Sequence, residues 1–137
     1  IAGMAFANAS VAAIHGLAYP LGARFHIPHG HANALVMAQV LRFNLPAART
    51  LYAELAPCLI EDADFASDDE AAEAFVRRIE EMVPASGLET RLRDLGVTED
   101  SLPEMAEEVF TKIYRLIESN PRDMTTKDIE AIYREVY

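Results

Sequence analysis

The sequence predicts an all-α domain, and three observations carry that prediction. Apolar residues recur at three- and four-residue spacing along the chain. No stretch alternates polar and apolar residues with period two. A hydroxyl residue followed three positions later by an acid marks several helix starts. At 137 residues, the chain suits one domain with a real core.

Residues 2–18 read as a first helix. Ala2, Gly3, Ala5, Ala7, Ala9, Ala12 and Ala13 are small on nearly every side, which lets neighbouring helices approach closely. Pro20 disfavours helical geometry at Tyr19, and Gly22 can take the left-handed conformation that ends a helix, so 22–28 reads as a loop. His29 or Gly30 opens a second helix that runs to about Phe43 and is apolar around most of its circumference. Asn44, Leu45 and Pro46 are expected to break it, with Pro46 in the first turn of a third helix over 46–57. That helix carries Leu51, Leu55 and Leu59 at helical spacing.

An acidic loop spans 60–68. Ser67 with Glu70 is a capping-box signature for a fourth helix over 69–84, with Ala71, Ala74, Phe75, Ile79, Met82 and Val83 as its apolar stripe. Leu88, Leu92 and Leu95 suggest a short helix closed by Gly96. Ser101 with Glu104 predicts a fifth helix over 101–114, and 120–122 is a turn. Thr125 with Asp128 caps a last helix, 126–136, that turns Ile129, Ile132, Tyr133 and Val136 inward.

The net charge of −10 argues against a nucleic-acid partner, because neutralising phosphates needs a basic face. The first 21 residues are apolar, but Asn8, Ser10 and His15 interrupt them and no basic residue precedes them. A buried helix is therefore expected rather than a signal peptide or a membrane span. The single cysteine, Cys58, excludes an intrachain disulfide, favours a cytoplasmic setting and is expected as a small core hydrophobe. The chain starts at Ile1, inside what reads as a helix, so a fragment with further sequence upstream is expected.

The chemistry concentrates between Ala12 and Asn33, which holds all four histidines: His15, His26, His29 and His31. His15 shares a helix face with Tyr19, four residues on. His29 follows Pro28 at the start of the next helix. Two neutral imidazoles arriving from different elements suit a divalent transition metal; a pair of buried histidines bonded to backbone is the alternative that the spacing leaves open. His26 reads as a loop or pocket-lining residue, and His31 points away from His29. The chain has no HExxH, CxxC, phosphate loop or GxGxxG. A divalent ion takes about four ligands. Asp62 and Asp64 lie in a polar loop, so the remaining ligands are expected outside this chain.

The runs 14–22 (IHGLAYPLG), 27–30 (IPHG) and 32–34 (ANA) resemble the signature of the iron-containing (group III) alcohol dehydrogenases. The runs 3–9, 41–44, 120–122 and 128–133 fit the same pattern, so the resemblance extends over essentially the whole chain. It implies the C-terminal, multi-helical metal domain of the dehydroquinate synthase-like fold, with 1–137 forming that domain. An N-terminal domain that binds NAD(P) would precede it. It also implies a metal, Fe2+ or Zn2+, held by an aspartate and three histidines, two of which match His15 and His29. The other two ligands would precede Ile1. Hydride transfer between a small alcohol and the nicotinamide is the implied reaction, with the metal as Lewis acid.

Many members of that family carry a histidine where this chain has Tyr19, at a position that faces cofactor and substrate. Tyr19 is therefore the candidate proton-handling residue, with an ordinary pKa of about 10 against about 6.5 for histidine. Phe6 falls where the family lines its substrate pocket; a core aromatic is the other reading. A maleylacetate reductase or glycerol dehydrogenase relative is the alternative enzyme. A helical interaction module with a vestigial site is the alternative from another class. Apolar surface left by missing helices predicts self-association, hence a homo-oligomer.

Overall fold

In a computed structural model, the described residues are Met4, Ala7, 11–61 and 64–137. They are helical, with no strand among them, as the periodicity predicts. Six helices have defined bounds: α1 (Ala13–Phe25), α2 (His29–Leu55), α3 (Asp68–Ala85), α4 (Ser101–Lys112), α5 (Tyr114–Ile117) and α6 (Thr126–Glu135). Short 3-10 turns cover Ala56–Cys58 and Leu92–Leu95. No helix among the described residues is long and apolar enough to cross a membrane.

The core divides into two clusters along α2. The first half of α2 contributes Ala32, Leu35, Val36 and Val40 to a cluster with α1, α4 and α6. The second half contributes Ala48 and Tyr52 to a smaller cluster with Ala71, Ala72, Phe75 and Val76 of α3. The Tyr52 and Phe75 rings lie 5.3 Å apart there. Arg42 bridges α2 to Glu73 and Glu80 of α3, and Arg49 pairs with Asp69.

Several local expectations need correction. The first helix does not run unbroken over 2–18. Ala12 is extended and α1 begins at Ala13, a break that a run of alanines gives no periodicity to mark. Nor does α1 stop at Pro20 or Gly22; it continues to Phe25 and ends at His26, which adopts the left-handed conformation (φ 57°). Histidine tolerates that conformation better than most non-glycine residues, so the terminator was the wrong residue type to find by looking for glycine.

The second and third predicted helices are one continuous helix of 27 residues, with Pro46 inside it. A proline inside a helix lacks the N–H for the carbonyl four residues back and crowds that turn. At two of the three prolines that lie past the first turn of a described helix, Pro20 and Pro46, a side chain from the C-terminal third of the chain serves the carbonyl three residues earlier. The buried Tyr133 hydroxyl donates to the Leu17 carbonyl ahead of Pro20 at 2.7 Å. Arg122 Nη1 donates to the Phe43 carbonyl ahead of Pro46 at 2.9 Å, and its guanidinium lies 4.1 Å over the Phe43 ring. These partners are 116 and 79 residues away in sequence, which is why local rules misjudged both prolines.

Other details differ in kind. Leu51 and Leu55 lie on the exposed side of α2, while Ala48 and Tyr52 face inward. Cys58 is exposed, because only Ala56 of its 3-10 turn packs inward. The Ser101–Glu104 capping box does not form; Ser101 is the first residue of α4, and its hydroxyl donates to the Thr98 carbonyl at 2.6 Å. The other two caps form as expected. Ser67 accepts from the Glu70 N–H at 3.2 Å, and Thr125 with Asp128 makes a full reciprocal box.

Candidate metal centre

His15 lies in the first turn of α1, rather than near the end of a helix, and His29 is the first residue of α2. Pro28, with φ −53° and ψ 137°, sets the direction in which α2 starts. The hairpin through 26–28 returns α2 along α1. The His15 and His29 ring centroids then lie 5.2 Å apart, tilted by 55°. The Tyr19 ring joins them, 6.1 Å from His29, as the shared face with His15 predicts. His15 is half-buried, His29 is exposed, and Tyr19 is 51 % exposed, so the cluster opens to solvent on one side.

Close packing beside His15 depends on Gly16. A Cβ at that position would lie 2.9 Å from Ile117 Cγ2, so α1 approaches α5 as near as the backbone allows. Arg24, near the end of α1, donates to Glu108 at 2.9 and 2.6 Å and to Glu104 at 2.9 Å, tying α1 to α4.

Burial holds the His15 pKa below its ordinary value, and the neighbouring His29 lowers it further. Both influences favour the neutral imidazole, the form that donates a lone pair to a metal. At His29, Nε2 accepts from Asn33 Nδ2 at 3.1 Å, and the same amide donates to the His29 carbonyl at 2.9 Å. While Asn33 donates to Nε2 that lone pair is engaged, so a metal at Nε2 takes the place of the Asn33 amide. Asn33 Oδ1 is buried without a hydrogen-bond partner. A polar atom left open one turn from His29 marks a site with room for another polar group.

The donor set fits half of a transition-metal site: the His15 imidazole, held neutral, and the His29 imidazole, whose Nε2 becomes a donor when the Asn33 amide gives way. Among the described residues, no group of three or more histidine, cysteine or acidic side chains could hold a metal ion. Asp64 is exposed in the loop before α3, and Asp62 lies outside the described residues. The remaining histidines stay apart from the cluster. His26 is the exposed terminator of α1, and His31 Nε2 donates to the Glu89 carbonyl at 2.6 Å. Phe6 lies outside the described residues. Asn33 is the polar neighbour that sequence reasoning did not assign; its spacing of four from His29 on one helix is the signal that could have found it.

Comparison with known proteins adds a family. Residues 1–137 match the model described as "Fe-containing alcohol dehydrogenase family, C-terminal". The chain is 37 % identical to the 1,3-propanediol dehydrogenase of Citrobacter freundii over 137 residues, all of this chain and 35 % of that protein. It is 31 % identical to the lactaldehyde reductase of Escherichia coli K12, again over all of this chain and 35 % of that protein. A crystal structure of a 1,3-propanediol oxidoreductase superposes on 99 % of the chain with a TM-score of 0.91 and 37 % identity, covering 35 % of that structure's chain. The chain thus spans about a third of the length of these relatives.

Proposed function

This chain belongs to the Fe-containing alcohol dehydrogenase family, as its C-terminal region, and on that premise we propose that it is the helical metal domain of an NAD(P)-dependent alcohol dehydrogenase. The complete enzyme interconverts an alcohol with its aldehyde or ketone. The observation that carries this reading is the approach of the His15 and His29 rings to 5.2 Å from two different helices. Relatives named for 1,3-propanediol, lactaldehyde and long-chain alcohols support an alcohol or aldehyde substrate across chain lengths.

In this reading, His15 and His29 hold two positions on an Fe2+ or Zn2+ ion, and an upstream aspartate and histidine complete it. When bound, the metal supplies Lewis-acid polarisation of the substrate oxygen, and the nicotinamide supplies or accepts the hydride. His15 contributes a neutral nitrogen because its burial opposes protonation. Asn33 covers the His29 Nε2 lone pair until a metal takes it, and its bond to the His29 carbonyl keeps the amide beside the ring. The Tyr19 hydroxyl, exposed beside His29, holds or relays a proton at Oη. A nucleotide-binding domain upstream carries most of the NAD(P) contacts, and the enzyme works in the cytoplasm as a homo-oligomer.

The test is metal content of the complete enzyme, with His15→Ala and His29→Ala alongside. Loss of stoichiometric metal together with alcohol-dependent NAD(P) reduction is expected in both. Wild-type metal content in both variants would overturn the assignment of the two ligands, and a complete protein that binds no metal would favour a helical interaction module.

A further inference from the structure

Tyr133, on α6, is 118 residues from His15 in sequence, yet its hydroxyl meets the turn of α1 that carries the proposed ligand. It is fully buried and donates at 2.7 Å to the Leu17 carbonyl, two residues after His15 and two before Tyr19. Leu17 itself is fully buried, so no water competes for that carbonyl. Pro20 lies one residue beyond Tyr19 and withholds an N–H from the Gly16 carbonyl, so this turn of the helix lacks one of its hydrogen bonds. A turn opened by a proline can bend, and a bend here would swing His15 and Tyr19 together.

From this arrangement, we infer that Tyr133 is a positioning residue: its hydroxyl fixes the bend of α1 at Pro20 and so holds His15 at its distance from His29. The inference rests on the reading of His15 as a ligand. Burial keeps the hydroxyl protonated, pushing its pKa well above the ordinary tyrosine value, with nearby Glu108 adding to the shift. It is therefore a permanent donor across the working pH range.

The molecule also holds an internal control. Arg122 makes the equivalent bond to the Phe43 carbonyl ahead of Pro46, but on the part of α2 remote from His29. Loss of either bond removes a contact to a proline-weakened turn; only the loss at Tyr133 should reach the metal.

The experiment measures Zn2+ affinity of the complete, metal-stripped enzyme by competition with a chelator, with folding monitored by circular dichroism. Tyr133→Phe should weaken zinc binding about tenfold, the lower end of what supporting partners of metal ligands contribute. Arg122→Gln should leave zinc affinity unchanged. Pro20→Ala returns the missing N–H to the turn, so zinc affinity in the Pro20→Ala, Tyr133→Phe double variant should return toward that of Pro20→Ala alone. Unchanged affinity in Tyr133→Phe, equal weakening in Arg122→Gln, or no recovery in the double variant would each overturn the inference. A wild-type enzyme that binds no zinc would instead overturn the ligand reading, and the inference with it.

Discussion

The side chains of Asn44 and Asn120 exchange two hydrogen bonds, Nδ2 to Oδ1 in each direction, at 2.8 and 2.7 Å. Both residues are buried, and Asn120 also donates to the Arg122 carbonyl at 2.7 Å. The pair pins the turn after α5 onto the middle of α2. Asn44→Ala would strand the Asn120 Oδ1, and a buried polar group left without its partner costs about 1–3 kcal/mol. Chemical denaturation of the variant should show that loss, and the Asn44→Ala, Asn120→Ala double variant should lose less than the sum of the singles.

Gly16→Ala should destabilise the fold by about 1–3 kcal/mol, the usual cost of overpacking. The added methyl would meet Ile117 Cγ2 at 2.9 Å, and neither helix can retreat without moving His15. Ile117→Ala in the same background should recover part of the loss. A Gly16→Ala protein with an unchanged unfolding midpoint would show that α1 and α5 are not in close contact.

Burial alone would raise the Asp128 pKa, but hydrogen bonds from the Thr125 hydroxyl and N–H, together with Arg122, bring it below the ordinary value. A carboxylate whose folded pKa is depressed stabilises the fold above its unfolded pKa, about 3.9. That stability is lost as pH falls through the folded value. Asp128→Asn should therefore melt below the wild type at pH 7. The difference should close in strong acid, once Asp128 is protonated in both states. A melting-temperature gap that persists unchanged would contradict this.

Tyr19→Phe should leave metal content untouched while lowering kcat of the complete enzyme, because the ring contact with His29 remains and only the hydroxyl is lost. Positioned proton transfer contributes about 10²–10⁴-fold, which sets the scale of the expected loss. A pH profile of kcat that Tyr19→Phe does not alter would remove the hydroxyl from the reaction.

Features made by neighbouring residues were the ones legible in the sequence. The boxes at Ser67–Glu70 and Thr125–Asp128 form because each partner lies three residues from the other, and pattern alone exposes that. The meeting of His15 with His29 was expected through a helix end between Pro20 and Gly22; it comes instead from the turn after His26, with His15 at the start of α1 rather than near its end. Pro20 and Pro46 were misjudged because the side chains that hold those turns, Tyr133 and Arg122, lie outside any local window. Leu51 and Leu55 show a related limit: helical spacing locates a stripe, but only the neighbour decides which stripe is covered.

A 27-residue helix at 1.5 Å per residue makes α2 a rod about 40 Å long. His29 stands at one tip, and the Tyr52–Phe75 contact grips the other end. The near half of the rod is packed through Ala32, Leu35, Val36 and Val40 into the larger cluster, so the tip is clamped along its own length and does not swing about the far grip. Substitutions in the small cluster around Tyr52, well away from any histidine, should therefore cost stability and leave His29 where it stands. Stabilising changes between α2 and α3 can then be made without disturbing the histidine end.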